Sequence, residues 1–235
     1  MREAELIVAL DVPDRRELEA TLERLPDFIE WYKVGLELFC AEGPAALEPL
    51  QRRGKKIFLD LKLHDIPRTV ARAVRSAAAH GVELLTVHAS GGRAMLEAAA
   101  EAARSCPRPP KLVAVTVLTS LDERDLAELG VNRAPAEQAA ALARLAVDCG
   151  IDGVVCSALE VGRLRALLPE AILVTPGIRL PGGEVGDQKR VATPALAVEQ
   201  GATHLVVGRP ILQADDPAAA AHAILENMRE GKKNG

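Results

Sequence analysis

Within six residues, Asp60-Leu61-Lys62-Leu63-His64-Asp65 sets two carboxylates around one ammonium. In an extended chain side chains alternate between faces, so Asp60 and Lys62 share a face with their Cα atoms roughly 6.5–7 Å apart. Leu59, Leu61 and Leu63 take the other face. A strand that buries one side and aims an acid and an amine together on the other is suited to proton chemistry. The same residues also allow plainer readings. Asp60 and Lys62 could form an ordinary ion pair at a strand end, worth little. Asp65, just before Ile66-Pro67 and a helical pattern, is placed to cap a helix.

Other residues add to the case. Lys33 interrupts the apolar run Trp31-Tyr32-Lys33-Val34-Gly35-Leu36, where an amine is costly unless paired. Asp11, Asp60 and Asp65 are its available partners. The segment Gly177-Ile178-Arg179 through Gly186-Asp187-Gln188-Lys189-Arg190 is long and glycine-rich, as lids over ligands often are. Further on, Gly208-Arg209-Pro210 offers backbone N–H groups and a guanidinium. Arg179 and Arg209 together could grip a phosphate, although solvated arginines on a surface loop fit the same residues. His88 reads as a hydrogen-bonding histidine, and His64, His80, His204 and His222 as structural ones.

The elements that must hold these groups form a regular series. Apolar runs at Leu6–Leu10, Trp31–Leu36, Lys56–Leu61, Glu83–Val87, Leu112–Leu118, Asp152–Cys156, Ile172–Thr175 and Thr203–Val207 are each followed by a helical stretch. Asp14 and Glu17 have capping-box spacing at the first helix. Val70, Ala73, Val74 and Ala77 form the stripe of the helix after Ile66-Pro67. A short extra helix is expected around Asp122–Leu129, and a longer one over Ala134–Cys149, stopped by Gly150. The last opens at Asp216-Pro217 and buries Ala221, Ile224, Leu225 and Met228, and Glu230–Gly235 reads as a disordered tail. Eight strand–helix units imply parallel strands and an α/β fold of the (β/α)8 TIM-barrel type, one domain over residues 1–235. Barrel sites lie at the carboxyl ends of the strands. There the chain places Asp11, Asp60 and Lys62, His88, Thr119-Ser120, Ser157, Arg179 and Arg209. A doubly wound open sheet is the structural rival, but it usually has fewer strands and often a glycine-rich first turn.

Composition narrows the function classes. A net charge of −4 supplies no basic field for nucleic acid. With 49% hydrophobic but only 2% aromatic residues, the core is expected to be aliphatic. Cys40, Cys106, Cys149 and Cys156 show no CxxC spacing and no His partners, so reduced thiols are expected rather than disulfides or zinc. No secretory signal and no run of about 20 apolar residues is present, and a cytoplasmic protein is expected.

Taken together, Leu10-Asp11, Lys33-Val34-Gly35, Asp60-Leu61-Lys62-Leu63-His64-Asp65-Ile66-Pro67, Leu118-Thr119-Ser120, Pro176-Gly177-Ile178-Arg179, Gly186-Asp187-Gln188-Lys189-Arg190 and Val207-Gly208-Arg209-Pro210 resemble the orotidine 5′-phosphate decarboxylase family. The DxKxxD element is shared with related sugar-phosphate enzymes, and the PGIR…DQ…VGR segments add the specificity. The resemblance implies a cofactor-independent decarboxylase, with no metal, in which Lys62 protonates C6 of the pyrimidine. Asp60, Lys33 and Asp65 would complete a charged array around it. It further implies that Asp11 holds the ribose and that Thr119, or Ser120 beside it, meets the pyrimidine. Arg179, Gln188, Gly208 and Arg209 would bind phosphate. Asp65 and Thr69 would reach into the site of a second subunit, making a homodimer. Arg68 departs from the Asn that many bacterial members carry there. The rivals are a Mg²⁺-dependent sugar-phosphate decarboxylase or aldolase of the same superfamily, and a non-catalytic binder of phosphorylated metabolites.

Overall fold

The computed structural model describes residues 4–181 and 192–234. From the amino end it runs β1 (Glu5–Leu10), α1 (Arg15–Arg24), β2 (Trp31–Gly35), α2 (Leu36–Glu42), α3 (Glu48–Arg52), β3 (Lys56–Leu63), α4 (Pro67–Ala79) and β4 (Leu84–His88). There follow α5 (Arg93–Arg104), β5 (Lys111–Val115), α6 (Glu123–Glu128), α7 (Pro135–Asp148), β6 (Gly153–Val155) and α8 (Val161–Leu167). The chain closes with β7 (Ile172–Thr175), α9 (Pro194–Glu199), β8 (His204–Val207), α10 (Arg209–Leu212) and α11 (Pro217–Asn234). The strands pair in parallel in sequence order, and β8 returns to β1, so the sheet is a closed (β/α)8 barrel.

Strand alternation divides the apolar residues into two shells. Ile7, Ala9, Trp31, Phe58, Leu84, Val113, Val174 and Val206 point inward and fill the barrel. Leu6, Val8, Leu10, Leu59, Leu85, Val87, Leu173 and Leu205 point outward and are covered by helix residues such as Leu18, Val70, Val74 and Leu96. The two-residue period thus closes the lower barrel with hydrocarbon and leaves only the upper inward positions for polar groups.

Several local expectations are corrected. Asp65 is not the cap of α4. Ile66 is the cap residue, and the Asp65 carboxylate instead accepts the adjacent Ile66 N–H at 2.6 Å. Pro67 begins the helix without needing a hydrogen-bond partner, which moves the cap one residue on. At α1 only half of the expected box forms, Asp14 accepting from the Glu17 N–H at 2.9 Å. Reciprocal boxes occur at Asp122/Asp125 and Ser157/Glu160. The fifth strand stops at Val115 rather than Leu118; its last bond to β6 runs from the Thr116 N–H to the Val155 carbonyl, which the Thr116 hydroxyl also reaches. The tail is helical to Asn234. Gly231 is buried, and a Cβ there would collide with the Ala195 backbone of α9, so its bare backbone lets α11 lie directly on that helix.

At the amino-terminal end of the barrel, His204 meets the Trp31 ring edge-on at 5.4 Å. Burial, with Lys56 adding to it, pushes the His204 pKa down to about 4. The folded state therefore holds a neutral imidazole that the unfolded chain would protonate below about pH 6.5. The stability this residue contributes is complete above that value and is lost as pH falls towards 4, by about 3 kcal/mol in all. Urea unfolding at pH 7 and at pH 4.5 should show this decline, and His204→Gln should flatten it.

Candidate active site

Lys33 lies on β2, in register with Ala9 of β1 and Phe58 of β3, inside the barrel. Its ammonium lies 2.9 Å from Asp11 Oδ1 and 3.8 Å from Asp60 Oδ2. Gly35, two residues along the same strand, makes this possible. A Cβ there would stand 2.7 Å from Lys33 Nζ and 3.5 Å from Asp11 Oδ1.

Asp60 and Lys62 share the inward face of β3 as alternation predicts, but the strand between them is not regular. Its register against β4 shifts between Leu59 and Leu63, and Lys62 alone among the described non-glycine residues has a positive φ, +50°. A left-handed lysine is a strained backbone, and here it curls the side chain back so that Nζ meets both Asp60 oxygens at 2.9 Å. Thr86 of β4 supports the kink. Its hydroxyl accepts the Lys62 N–H at 2.7 Å and donates to Asp60 Oδ1 at 3.1 Å.

The result is an alternating row, Asp11–Lys33–Asp60–Lys62, of which Lys33 and Asp60 are most enclosed. Their side chains are 11% and 13% exposed, against 32% for Lys62. Such pairs seldom stabilise a fold, since desolvation offsets the attraction. Lys33, Asp60, Lys62 and Thr119 line one cavity of about 230 Å³, walled by Phe58, Val115, Val117, Val155, Cys156, Val174, Pro176 and Val206. It therefore has a charged end and an apolar wall. A larger, open groove of about 710 Å³ lies between helices on the outside of the barrel, lined by Arg93, Arg144, Arg163 and Asp148 among alanines and leucines, away from the row.

The remaining residues divide into those that adjoin the row and those that do not. Gly208 backs onto Ala9 and Asp11, where a Cβ would be 3.5 Å from Asp11 Oδ2. Arg209 follows it at the start of α10. Arg179 donates to the Ile178 carbonyl at 2.8 Å, and burial followed by the charge of Arg209 lowers its pKa. The two guanidiniums thus lie near enough for the charge of Arg209 to disfavour that of Arg179. Asp65 and Thr69 are exposed, and among the described residues Asp65 makes no ion pair with either lysine. Gln188 lies outside the described residues. His88 bonds Ser90 Oγ through Nδ1 at 2.7 Å and stacks on His64 at 5.2 Å. Burial lowers its pKa, and His64 and Lys62 push the same way.

Thr86 is the residue that sequence reasoning missed. Alternation along β4 puts Leu84, Thr86 and His88 on one face, and the available signal was a hydroxyl between two inward positions. Among the described residues, no group of three or more His, Cys, Asp and Glu side chains is arranged to hold a metal ion, and no helix is long and apolar enough to cross a membrane.

A closed barrel with charged groups recessed at the carboxyl ends of its strands has the form of a (β/α)8-barrel enzyme. Sequence and structure comparisons narrow that class. The profile of the orotidine 5′-phosphate decarboxylase / HUMPS family matches residues 4–224. Orotidine 5′-phosphate decarboxylase of Moorella thermoacetica is 52% identical, across 93% of this chain and 90% of that protein. The Nitrosospira multiformis enzyme of the same name is 50% identical, across 98% and 96%. The crystal structure of orotidine 5′-phosphate decarboxylase from Lactobacillus acidophilus superposes with a TM-score of 0.85 at 41% identity, covering 96% of this chain and 99% of that one. The chain belongs to the orotidine 5′-phosphate decarboxylase / HUMPS family.

Proposed function

We propose that this protein decarboxylates orotidine 5′-phosphate to UMP, in pyrimidine synthesis in the cytoplasm, without a cofactor. The observation that carries the reading is the clamped Lys62–Asp60 pair, Nζ at 2.9 Å from both oxygens, facing a cavity with an apolar wall. Loss of CO₂ from C6 leaves a carbanion with no electron sink, so the protein must supply fixed positive charge where negative charge develops. Lys62 provides that charge and then the proton for C6. Asp60 holds the ammonium and stands beside the departing carboxylate, with Lys33 on its other side at 3.8 Å. Asp11 takes the ribose hydroxyls, and Thr119, or Ser120 next to it, meets the pyrimidine edge.

Arg179, Gln188, Gly208 and Arg209 take the phosphate. Binding energy gathered at this remote anion helps to order the reacting end, so orotidine without its phosphate should lose turnover as well as affinity. Asp65 and Thr69 serve the site of a second copy. Residues 64–69 are all exposed on the single chain, and Ile66 among them is 67% exposed. Leu36, which opens α2 at the same end of the barrel, is also exposed. Apolar side chains at this edge suit a homodimer in which each chain completes the other's array.

The direct test is to mix the protein with orotidine 5′-phosphate and follow the ultraviolet change, with and without EDTA. Equal turnover in both arms is expected. Loss of activity with chelator would overturn the cofactor-independent reading, and no turnover in either arm would end the assignment of substrate and favour the Mg²⁺-dependent sugar-phosphate enzymes of the same superfamily. Arg209→Ala should weaken UMP binding roughly 10- to 100-fold, the loss of a charge-assisted contact, while leaving uridine binding nearly unchanged. Calorimetric titration of both ligands checks it, and equal weakening of the two would remove Arg209 from the phosphate site.

A further inference from the structure

We propose that Thr86 is a positioning residue for decarboxylation, its one hydroxyl fixing both the backbone of Lys62 and the carboxylate of Asp60. The inference rests on the reading of Lys62 as the proton donor. Thr86 does not line the cavity, so it acts through its two partners and touches no reacting atom.

The argument begins at the kink in β3. Pairing between β3 and β4 is interrupted between Leu59 and Leu63, and Lys62 adopts φ +50°. Leaving the ladder deprives the Lys62 N–H of its ordinary strand partner, and an enclosed N–H with no acceptor is costly. Thr86 is wholly buried, and its oxygen accepts that N–H at 2.7 Å. A hydroxyl can accept and donate at once, and the proton of this one goes to Asp60 Oδ1 at 3.1 Å. Asp60 Oδ1 is also the atom that Lys62 Nζ meets at 2.9 Å. Thr86, the Lys62 backbone, the Lys62 ammonium and Asp60 therefore close a ring of hydrogen bonds. Without the hydroxyl, the strained φ of Lys62 loses its restraint and Asp60 is free to rotate towards Lys33. Either motion displaces Nζ from the position at which charge develops, and electrostatic stabilisation of a transition state depends on groups fixed beforehand.

The experiment compares Thr86→Val and Thr86→Ser with the parent enzyme on orotidine 5′-phosphate. Valine keeps the branched shape and removes the hydroxyl, and serine keeps the hydroxyl. Thr86→Val is expected to lower kcat roughly 10- to 100-fold, with KM and the UMP dissociation constant within about 3-fold of the parent. Thr86→Ser should recover kcat to within about 3-fold of the parent. A hydroxyl that serves only folding would lower the melting temperature in Thr86→Val without this division between kcat and KM. The proposal is overturned if Thr86→Val turns over like the parent, if serine restores no more than valine, or if KM rises as much as kcat falls. Should Thr86→Val not fold, Thr86→Ala carries the same comparison; failure of both to fold makes the hydroxyl a folding element and overturns the proposal as well. The parent is the control. No decarboxylation by the parent sinks the proposed function, whereas an active parent with an equally active Thr86→Val sinks only the positioning role.

Discussion

Lys62→Ala should fold, bind UMP and decarboxylate orotidine 5′-phosphate roughly 10⁵-fold more slowly, or worse. The figure combines two losses. A positioned general acid contributes roughly 10²- to 10⁴-fold, and a fixed charge aimed at a developing anion roughly 10²- to 10³-fold. Together they correspond to about 7 kcal/mol of activation free energy. Alanine at φ +50° bears much the same backbone cost as lysine, so the variant removes the amine and leaves the kink to Thr86. Asp60 keeps the Thr86 hydroxyl and has Lys33 at 3.8 Å, so it is not left as an uncompensated buried charge. Circular dichroism and UMP titration establish folding and binding, and single-turnover ultraviolet measurements give the rate. Turnover within tenfold of the parent would remove Lys62 from the chemistry.

The physical reason for such sensitivity lies in how the row is built. Four charges alternate in sign from Asp11 to Lys62, and each inner member has a partner on both sides. On the proposed reading, a substrate carboxylate next to Asp60 would meet a like charge that loss of CO₂ relieves, while the attraction of the Lys62 ammonium would grow as negative charge develops at C6. Lys33 and Asp60 stand on paired positions of the neighbouring strands β2 and β3, where pairing sets side-chain direction, and Lys62 is directed by its kinked backbone and Thr86.

Much of this arrangement was legible in the chain. Each of the eight strands falls on an apolar run, and the interrupting Lys33 marked itself by being costly where it stands. The alternation that put Asp60 with Lys62, and Leu59 on the opposite face, survives in the barrel. The kink at Lys62 was not legible, because left-handed backbone is ordinarily signalled by Gly or Asn and here falls on a lysine held by tertiary contacts. Thr86 was hidden for a related reason. A threonine in a strand is ordinary β-propensity until its partner on the next strand is known. The helical tail was missed because Glu230–Gly235 is polar and ends in glycine, whereas its order comes from α11 lying against α9 at Gly231. Asp65 was misplaced by one position, since several residues before a proline can serve as a cap.

The position of Asp65 leads to a second large effect. In its own chain it stands exposed, bonded only to the neighbouring Ile66 N–H among the described hydrogen bonds, and makes no ion pair with Lys33 or Lys62 there. If it acts in a partner's site, Asp65→Ala and Lys62→Ala should each be almost inactive as homodimers, yet restore one another when mixed. A mixed dimer has one site carrying both defects and one carrying neither. Random exchange makes half of the dimers mixed, so about a quarter of all sites become intact and activity should rise to about a quarter of the parent value. From two preparations that are each down by several orders of magnitude, such a rise is unmistakable. The measurement is turnover after the two variants are mixed, unfolded in urea and refolded together, beside each variant refolded alone. An increase no greater than the sum of the separate activities would place Asp65 in its own chain's site, or outside the chemistry altogether. It would also leave the exposed face around Ile66 without its catalytic reason.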